Sequence, residues 1–300
     1  MASNNDIRRG ALEMTLAMLM SGTIGWLVVS SQQSSQNVVF FRCLFGGATL
    51  SLVCAALGLF RRKLFTWRIV ALATLGGVAI VVNWVLLFAA YSRASISMAT
   101  TVYSTQPFML VALGAFVFRE RVTASAVAWL AVAFAGLVLV VKVEPAVLAV
   151  PGQYLQGVAL AAGAAFLWAV SSIVTKYLKS TPPHLIALIT TATGAVLLAP
   201  FVRFDALPDS GVHWLQLATL GVVNTGAMYV LMYGAIQKLP TAMTGALSFI
   251  YPVVAIVVDR VAFGQKLAWI QVLGAMLILL AAAGVNLGWR VVPARRLSST

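Results

Sequence analysis

The chain has 300 residues, of which 61% are hydrophobic and 9% charged, with a formal net charge of +13. A soluble domain carries about 25% charged residues, so a water-soluble globular fold is excluded. Nucleic acid is not an expected partner either, because the Lys and Arg residues sit in short clusters between apolar runs, without interleaved aromatics; they read as membrane-flanking charges, and the expected surroundings are a lipid bilayer.

The first apolar run follows Arg8 and Arg9, a beginning shared by secretory signals and first transmembrane helices. Its length, its lack of a small-x-small cleavage site and the second apolar run close behind it favour a helix that stays. A crossing needs about 20 mostly apolar residues. In chain order such runs cover 11–29, 38–60, 69–90, 97–118, 123–141, 155–178, 185–201, 214–236, 241–262 and 267–289, which makes ten spans. The third and fourth are parted by little more than Tyr91, Ser92, Arg93 and Ala94. The two cysteines, Cys43 and Cys54, share one run and would stand about 16 Å apart along a helix, beyond disulfide reach. His184 and His213 lack metal-ligand spacing to Cys, Asp or Glu, and no metal or other cofactor is expected.

Ten spans put both termini on one side. That side collects Arg8, Arg9, Arg61, Arg62, Lys63, Arg68, Arg119, Arg121, Lys176, Lys179, Lys238, Arg290, Arg295 and Arg296, against Arg93, Lys142, Arg203, Arg260 and Lys266 opposite. The positive-inside rule makes the first side cytoplasmic, as in a bacterial-type inner membrane protein. The loops are too short for a soluble domain, so function must reside in the helices.

Leu72-Ala73-Thr74-Leu75-Gly76 recurs at Leu217-Ala218-Thr219-Leu220-Gly221, a displacement of 145 residues. The same offset pairs Trp84 with Tyr229, Met98 with Met243, Pro107 with Pro252, Glu120 with Gln265 and Arg121 with Lys266. The expected architecture is therefore all-α, two five-helix repeats over 1–145 and 146–300. An odd number of helices per half inverts one against the other, a transporter plan with a central cavity near the midplane. Gly284 and Gly288 form a GxxxG pair that suits either packing within a monomer or a homodimer face.

Three features carry a resemblance: Arg42 in Phe40-Phe41-Arg42, the run from Pro107 to the Arg119-Glu120-Arg121 turn, and its second copy from Pro252 to Gln265. With ten spans in two halves, the chain resembles the EamA-type carriers of the drug/metabolite transporter superfamily. Span seven has no counterpart of Arg42, and Gln265 stands where the pattern often has an acid. The resemblance implies a basket-like bundle that moves small metabolites, and its bacterial members include aromatic amino-acid exporters of the YddG type.

Polar groups inside spans should face the bundle interior. Span four offers Ser97, Thr100, Thr101, Ser104, Thr105 and Gln106, with Tyr103 beside them; span nine offers Thr241, Thr244, Ser248 and Tyr251. These stripes fit a cavity lining, or hydroxyls that bond their own helix backbone. Spans three, six and eight add Asn83 and Trp84, Trp168, Ser171 and Ser172, and Asn224, Tyr229 and Tyr233, a set suited to an amphipathic or aromatic substrate. Trp67, Trp214, Trp269 and Trp289 read as interfacial anchors. Arg42 fits two readings, a snorkelling cation or a carboxylate receptor; Glu13 can pair with Arg9, and Asp259 lies toward the outer end of its span. Pro107 and Pro252 are candidate hinges or packing kinks. The expected function is non-enzymatic: a secondary carrier for a small-molecule substrate, first of all an exporter of aromatic or hydrophobic amino acids working by alternating access. Uptake of a vitamin or nucleoside-like metabolite is the second transporter reading. An integral-membrane lipid-modifying enzyme is the reading of another class, disfavoured because no Asp, His or Glu cluster marks one membrane face; no Walker motif supports direct ATP use.

Overall fold

In hydrocarbon each backbone amide must bond within its own segment, so long apolar runs become helices. The computed structural model describes residues 4–94, 99, 102–140, 151–263 and 268–290. In chain order the helices are α1 (Asn4–Ser21), α2 (Ile24–Ser30), α3 (Ser35–Ala56), α4 (Trp67–Ala94), α5 (Gln106–Phe118), α6 (Ala124–Val140), α7 (Pro151–Tyr177), α8 (Pro183–Leu198) and α9 (Gly211–Gly221). A π-helical turn, Val222–Ala227, leads into α10 (Met228–Lys238), followed by α11 (Thr241–Ser248), α12 (Ile250–Phe263) and α13 (Trp269–Asn286). Ser34 and Ser210 cap α3 and α9, their hydroxyls accepting from the Asn37 and His213 amides.

Among the described residues, eight helical stretches are long and apolar enough to cross a membrane. α5 and α6 are shorter apolar helices of 13 and 17 residues. Residues 97, 98, 100 and 101, at the expected start of span four, lie outside the described set. Leu52, Phe116, Val196, Val261 and Met276 are all exposed on the outside of the bundle, as a lipid-facing surface requires.

Packing is close where side chains are small. α4 lies along α7, α1 along α10, α3 along α8 and α6 along α13. Gly136 and Gly274 let α6 and α13 touch backbone to backbone, since a Cβ on either would overlap the other's carbonyl oxygen. α5 meets both α7 and α11, and a Cβ on Gly114 of α5 would come within 2.5 Å of Thr241.

The two candidate hinge prolines do not stand in mid-helix. Pro107 is the second residue of α5, after a turn at Ser104 and Thr105, and Pro252 is the third residue of α12, after a break at Phe249. Proline has no N–H to give and is tolerated in a helix's first turn, so each marks where a new helical segment starts.

Candidate functional site

The interior of the bundle is organised around a buried cation. Arg42, two turns into α3, is 3% exposed. Its guanidinium lies over the Trp84 ring at 4.5 Å from the centroid. Its Nε donates to Thr225 Oγ1 at 3.0 Å, and one Nη donates to the Asn224 carbonyl at 3.5 Å.

The π turn makes this meeting possible. Widening by one residue lets the Thr225 hydroxyl donate to the Leu220 carbonyl, five residues back, at 2.8 Å while it accepts from Arg42. Two glycines let the backbones approach: a Cβ on Gly221 would overlap Phe45 and sit 3.2 Å from the Arg42 carbonyl oxygen, and one on Gly46 would sit 2.9 Å from the Gly221 carbonyl oxygen. Gly221 is the last residue of the repeated pentapeptide.

An aromatic wall continues from Arg42. Trp84 meets Tyr229 edge to face at 6.1 Å, and Tyr229 meets Tyr233 in the same way at 5.2 Å. The Tyr233 hydroxyl is hydrogen-bonded to Thr190 and Ser171, tying α10 to α8 and α7. Asn83, fully buried, donates to the Ala164 carbonyl at 2.6 Å and to the Tyr103 hydroxyl at 3.3 Å. Trp168 belongs to the same buried cluster as Trp84, Tyr103, Tyr229 and Tyr233. Asn224 donates to the Met20 carbonyl and the Thr23 hydroxyl, which anchors the π turn to the α1–α2 junction, while its side-chain oxygen is buried with no partner among the described residues. A cavity of about 210 Å³ opens between α3, α4 and α8, lined by Ser35, Gln36, Val39, Val85, Ala89 and Leu198; Val39 is one helical turn from Arg42 and Val85 adjoins Trp84.

Asn83, Trp84, Tyr103, Trp168, Ser171, Asn224, Tyr229 and Arg42 are thus brought into one connected interior. The stripe on α11 serves differently: Thr244 and Ser248 donate their hydroxyls to the Pro240 and Gly245 carbonyls, while Ser104 is hydrogen-bonded to Tyr251. Thr101 lies outside the described residues, as does the side chain of Asp259.

Charges gather at the end of the bundle that holds the start of α1. Glu13 accepts from Arg9 at 3.0 Å and from Lys238 at the end of α10. Glu120, just past α5, accepts from Lys176 of α7 and from the Thr241 amide and hydroxyl at 3.0 and 2.7 Å. Burial pushes the Glu120 carboxyl up, but the hydrogen bonds from Lys176 and Thr241, with the Lys176 charge, hold it below its ordinary value. Lys176 also donates to the Leu239 carbonyl at 2.7 Å. Both acids tie an early helix to a late one.

Sequence reasoning passed over Thr225, Thr190 and the ion pairs through Lys176 and Lys238. Asn-Thr flanked by Gly221 and Gly226 was the available signal for the π turn.

Comparison with known proteins places the whole chain in a family. The model of the EamA-like transporter family matches residues 8–142 and again 155–287. A Bacillus subtilis protein named uncharacterized transporter YxxF is 28% identical over 94% of this chain and 90% of its own length. A probable amino-acid metabolite efflux pump of Salmonella typhimurium is 28% identical over 67% of this chain and 71% of its own length. The aromatic amino acid exporter YddG of Ancylobacter novellus is 24% identical over 56% of this chain and 59% of its own length. A crystal structure sharing 23% identity superposes with a TM-score of 0.80, covering 93% of this chain and 97% of that one, which shows the fold alone. The chain belongs to the EamA-like transporter family and is a multi-pass membrane transporter built from two repeats.

Proposed function

We propose that the protein is a non-enzymatic exporter of amino acids with aromatic or hydrophobic side chains, working by alternating access across a bacterial-type inner membrane. The observation that carries this is the buried interior joining Arg42, Trp84, Tyr229 and Asn224 across both repeats. It offers a cation, hydrogen-bonding groups and broad aromatic faces at one place, the combination an amphipathic zwitterion needs. The relatives named as exporters of amino acids or their metabolites point the same way.

In this reading the helices make ten spans in two inverted halves, 1–145 and 146–300, with both termini cytoplasmic. Support for a two-fold relation comes from the exchange of helix partners: α4 with α7 answers α10 with α1, α4 with α8 answers α9 with α3, and α5 with α7 answers α11 with α1. Glu13 and Glu120 join the halves at the basic end, while the cavity lies toward the other. This describes a carrier closed to the cytoplasm, with the ion pairs as the cytoplasmic gate.

The test is counterflow in proteoliposomes holding the purified chain, with labelled amino acids, vitamins and nucleosides offered outside a pool of each. Exchange of phenylalanine, tryptophan or leucine is expected. Exchange of vitamins or nucleosides with none of the amino acids would replace the substrate class; exchange of nothing would remove the carrier reading.

A further inference from the structure

A cation that stays buried needs a counter-charge, and Arg42 has none among the described residues. Its contacts there are a hydroxyl, a carbonyl and an indole face. Of the described acids, Glu13 and Glu120 are bound to lysines at the basic end, Asp6 is exposed in the first turn of α1, Asp205 pairs with Arg203 in the segment between α8 and α9, and Asp209 is exposed in that same segment. A cation–π contact offsets only part of the cost of desolvating a guanidinium, whereas a carboxylate paired to two of its N–H groups offsets most of it. Arg carries five N–H donors in a planar fork, and two of Arg42's have acceptors among the described residues.

From these contacts we infer that Arg42 is the anion receptor of the transport site and binds the carboxylate of the substrate, with the indole of Trp84 fixing the plane of the fork. The inference rests on the carrier reading above and assigns the recognition of the substrate's carboxylate to one residue. Three further features place the receptor rather than merely tolerate it. The Thr225 hydroxyl takes Nε and the Asn224 carbonyl takes one Nη, which orients the remaining N–H groups. The Asn224 amide, in the same turn, donates to the Met20 carbonyl and the Thr23 hydroxyl, which fixes the backbone carbonyl that Arg42 uses. A cavity begins one turn of α3 away, toward the end opposite the ion pairs.

The experiment compares acids with amides that lack the carboxylate charge, on the purified full-length protein. The probes are L-phenylalanine and L-phenylalaninamide, L-leucine and L-leucinamide, and 3-phenylpropionate and 3-phenylpropionamide, with binding read by quenching of intrinsic fluorescence and by thermal shift. In the unmodified protein at least one acid should bind about tenfold or more tightly than its amide, as expected for a charge-assisted fork. In Arg42→Gln that preference should fall to within about threefold, and Arg42→Lys should keep part of it. Equal binding of acid and amide, failure of every acid to bind, or a preference undiminished in Arg42→Gln would overturn the assignment. The comparison in the unmodified protein decides the matter even if Arg42→Gln does not fold. If counterflow finds an uncharged solute moved while no acid binds, the carboxylate assignment fails and the carrier stands; if nothing is moved, the carrier reading fails with it.

Discussion

Trp84 and Asn83 are adjacent in sequence but do different work. Trp84 presents a face to Arg42 and meets Tyr229 edge to face, whereas Asn83 turns to α7 and donates to the Ala164 carbonyl. Trp84→Ala should therefore cut transport by about tenfold or more, with near-normal amounts of folded protein. Asn83→Ala should lower transport and also stability, by about 1 kcal/mol, because a buried hydrogen bond between α4 and α7 is lost; counterflow rates beside monodispersity and thermal unfolding in detergent separate the two effects. Tyr233→Phe removes a buried hydroxyl bonded to Thr190 and Ser171 and should cost about 1 kcal/mol in the same unfolding measurement. Full stability in Tyr233→Phe would mean that the α7–α8–α10 tie is not held there. The aromatic and amide residues of this interior were legible in the sequence, since a Trp or Asn deep in an apolar run has few reasons to be there. The 145-residue offset even paired Trp84 with Tyr229, which touch. The serine and threonine stripes were not decisive, because a hydroxyl at helical spacing bonds the carbonyl a turn back as readily as a ligand, and Thr244 and Ser248 do that.

At the scale of elements, the departure from regular helix at Val222–Ala227 sets the site. Nothing in the apolar pattern of span eight distinguishes a π turn from continuous α-helix. The turn is held from outside, by Arg42 on one side and by the Met20 carbonyl and Thr23 hydroxyl on the other, so beyond the Asn-Thr pair between glycines its form was legible only once the neighbouring helices were placed. The same holds for the prolines, which the repeat marked as paired but whose place in the first turn of α5 and α12 depends on breaks at Ser104–Thr105 and Phe249. Gly221→Val should push α3 away from the π turn and abolish transport with a loss of about 2 kcal/mol or more in stability. Gly211→Ala, where an added Cβ meets nothing within 4 Å, should leave both unchanged. Equal effects from the two substitutions, in counterflow and in unfolding, would show that close approach at Gly221 is not what builds the site.

For the whole molecule, the basic residues read as membrane-side markers also turn out to clamp the bundle. Their partners lie 225 residues away for Glu13 and Lys238, a separation that no local charge pattern reveals. With its carboxyl held below the ordinary value, Glu120 stabilises this tie between helices fully above the ordinary carboxylate range and loses the contribution as pH falls through its lowered value. Labelling of a cysteine at the basic end, taken at each pH relative to the same cysteine in the denatured chain because only the thiolate reacts, should therefore be flat between about pH 6 and 8 and rise only in acid below about pH 4.5. Glu120→Gln combined with Glu13→Gln should raise it at neutral pH. Unchanged labelling in the double variant would remove these pairs as a gate. The central claim, one interior reached in turn from both faces, is tested most directly by Ser171→Cys in a background where Cys43 and Cys54 are replaced by alanine. Impermeant maleimide is applied to right-side-out and inverted vesicles with and without saturating L-phenylalanine. The account predicts labelling from both faces and protection by the amino acid on each; labelling from one face only, under every condition, would contradict it.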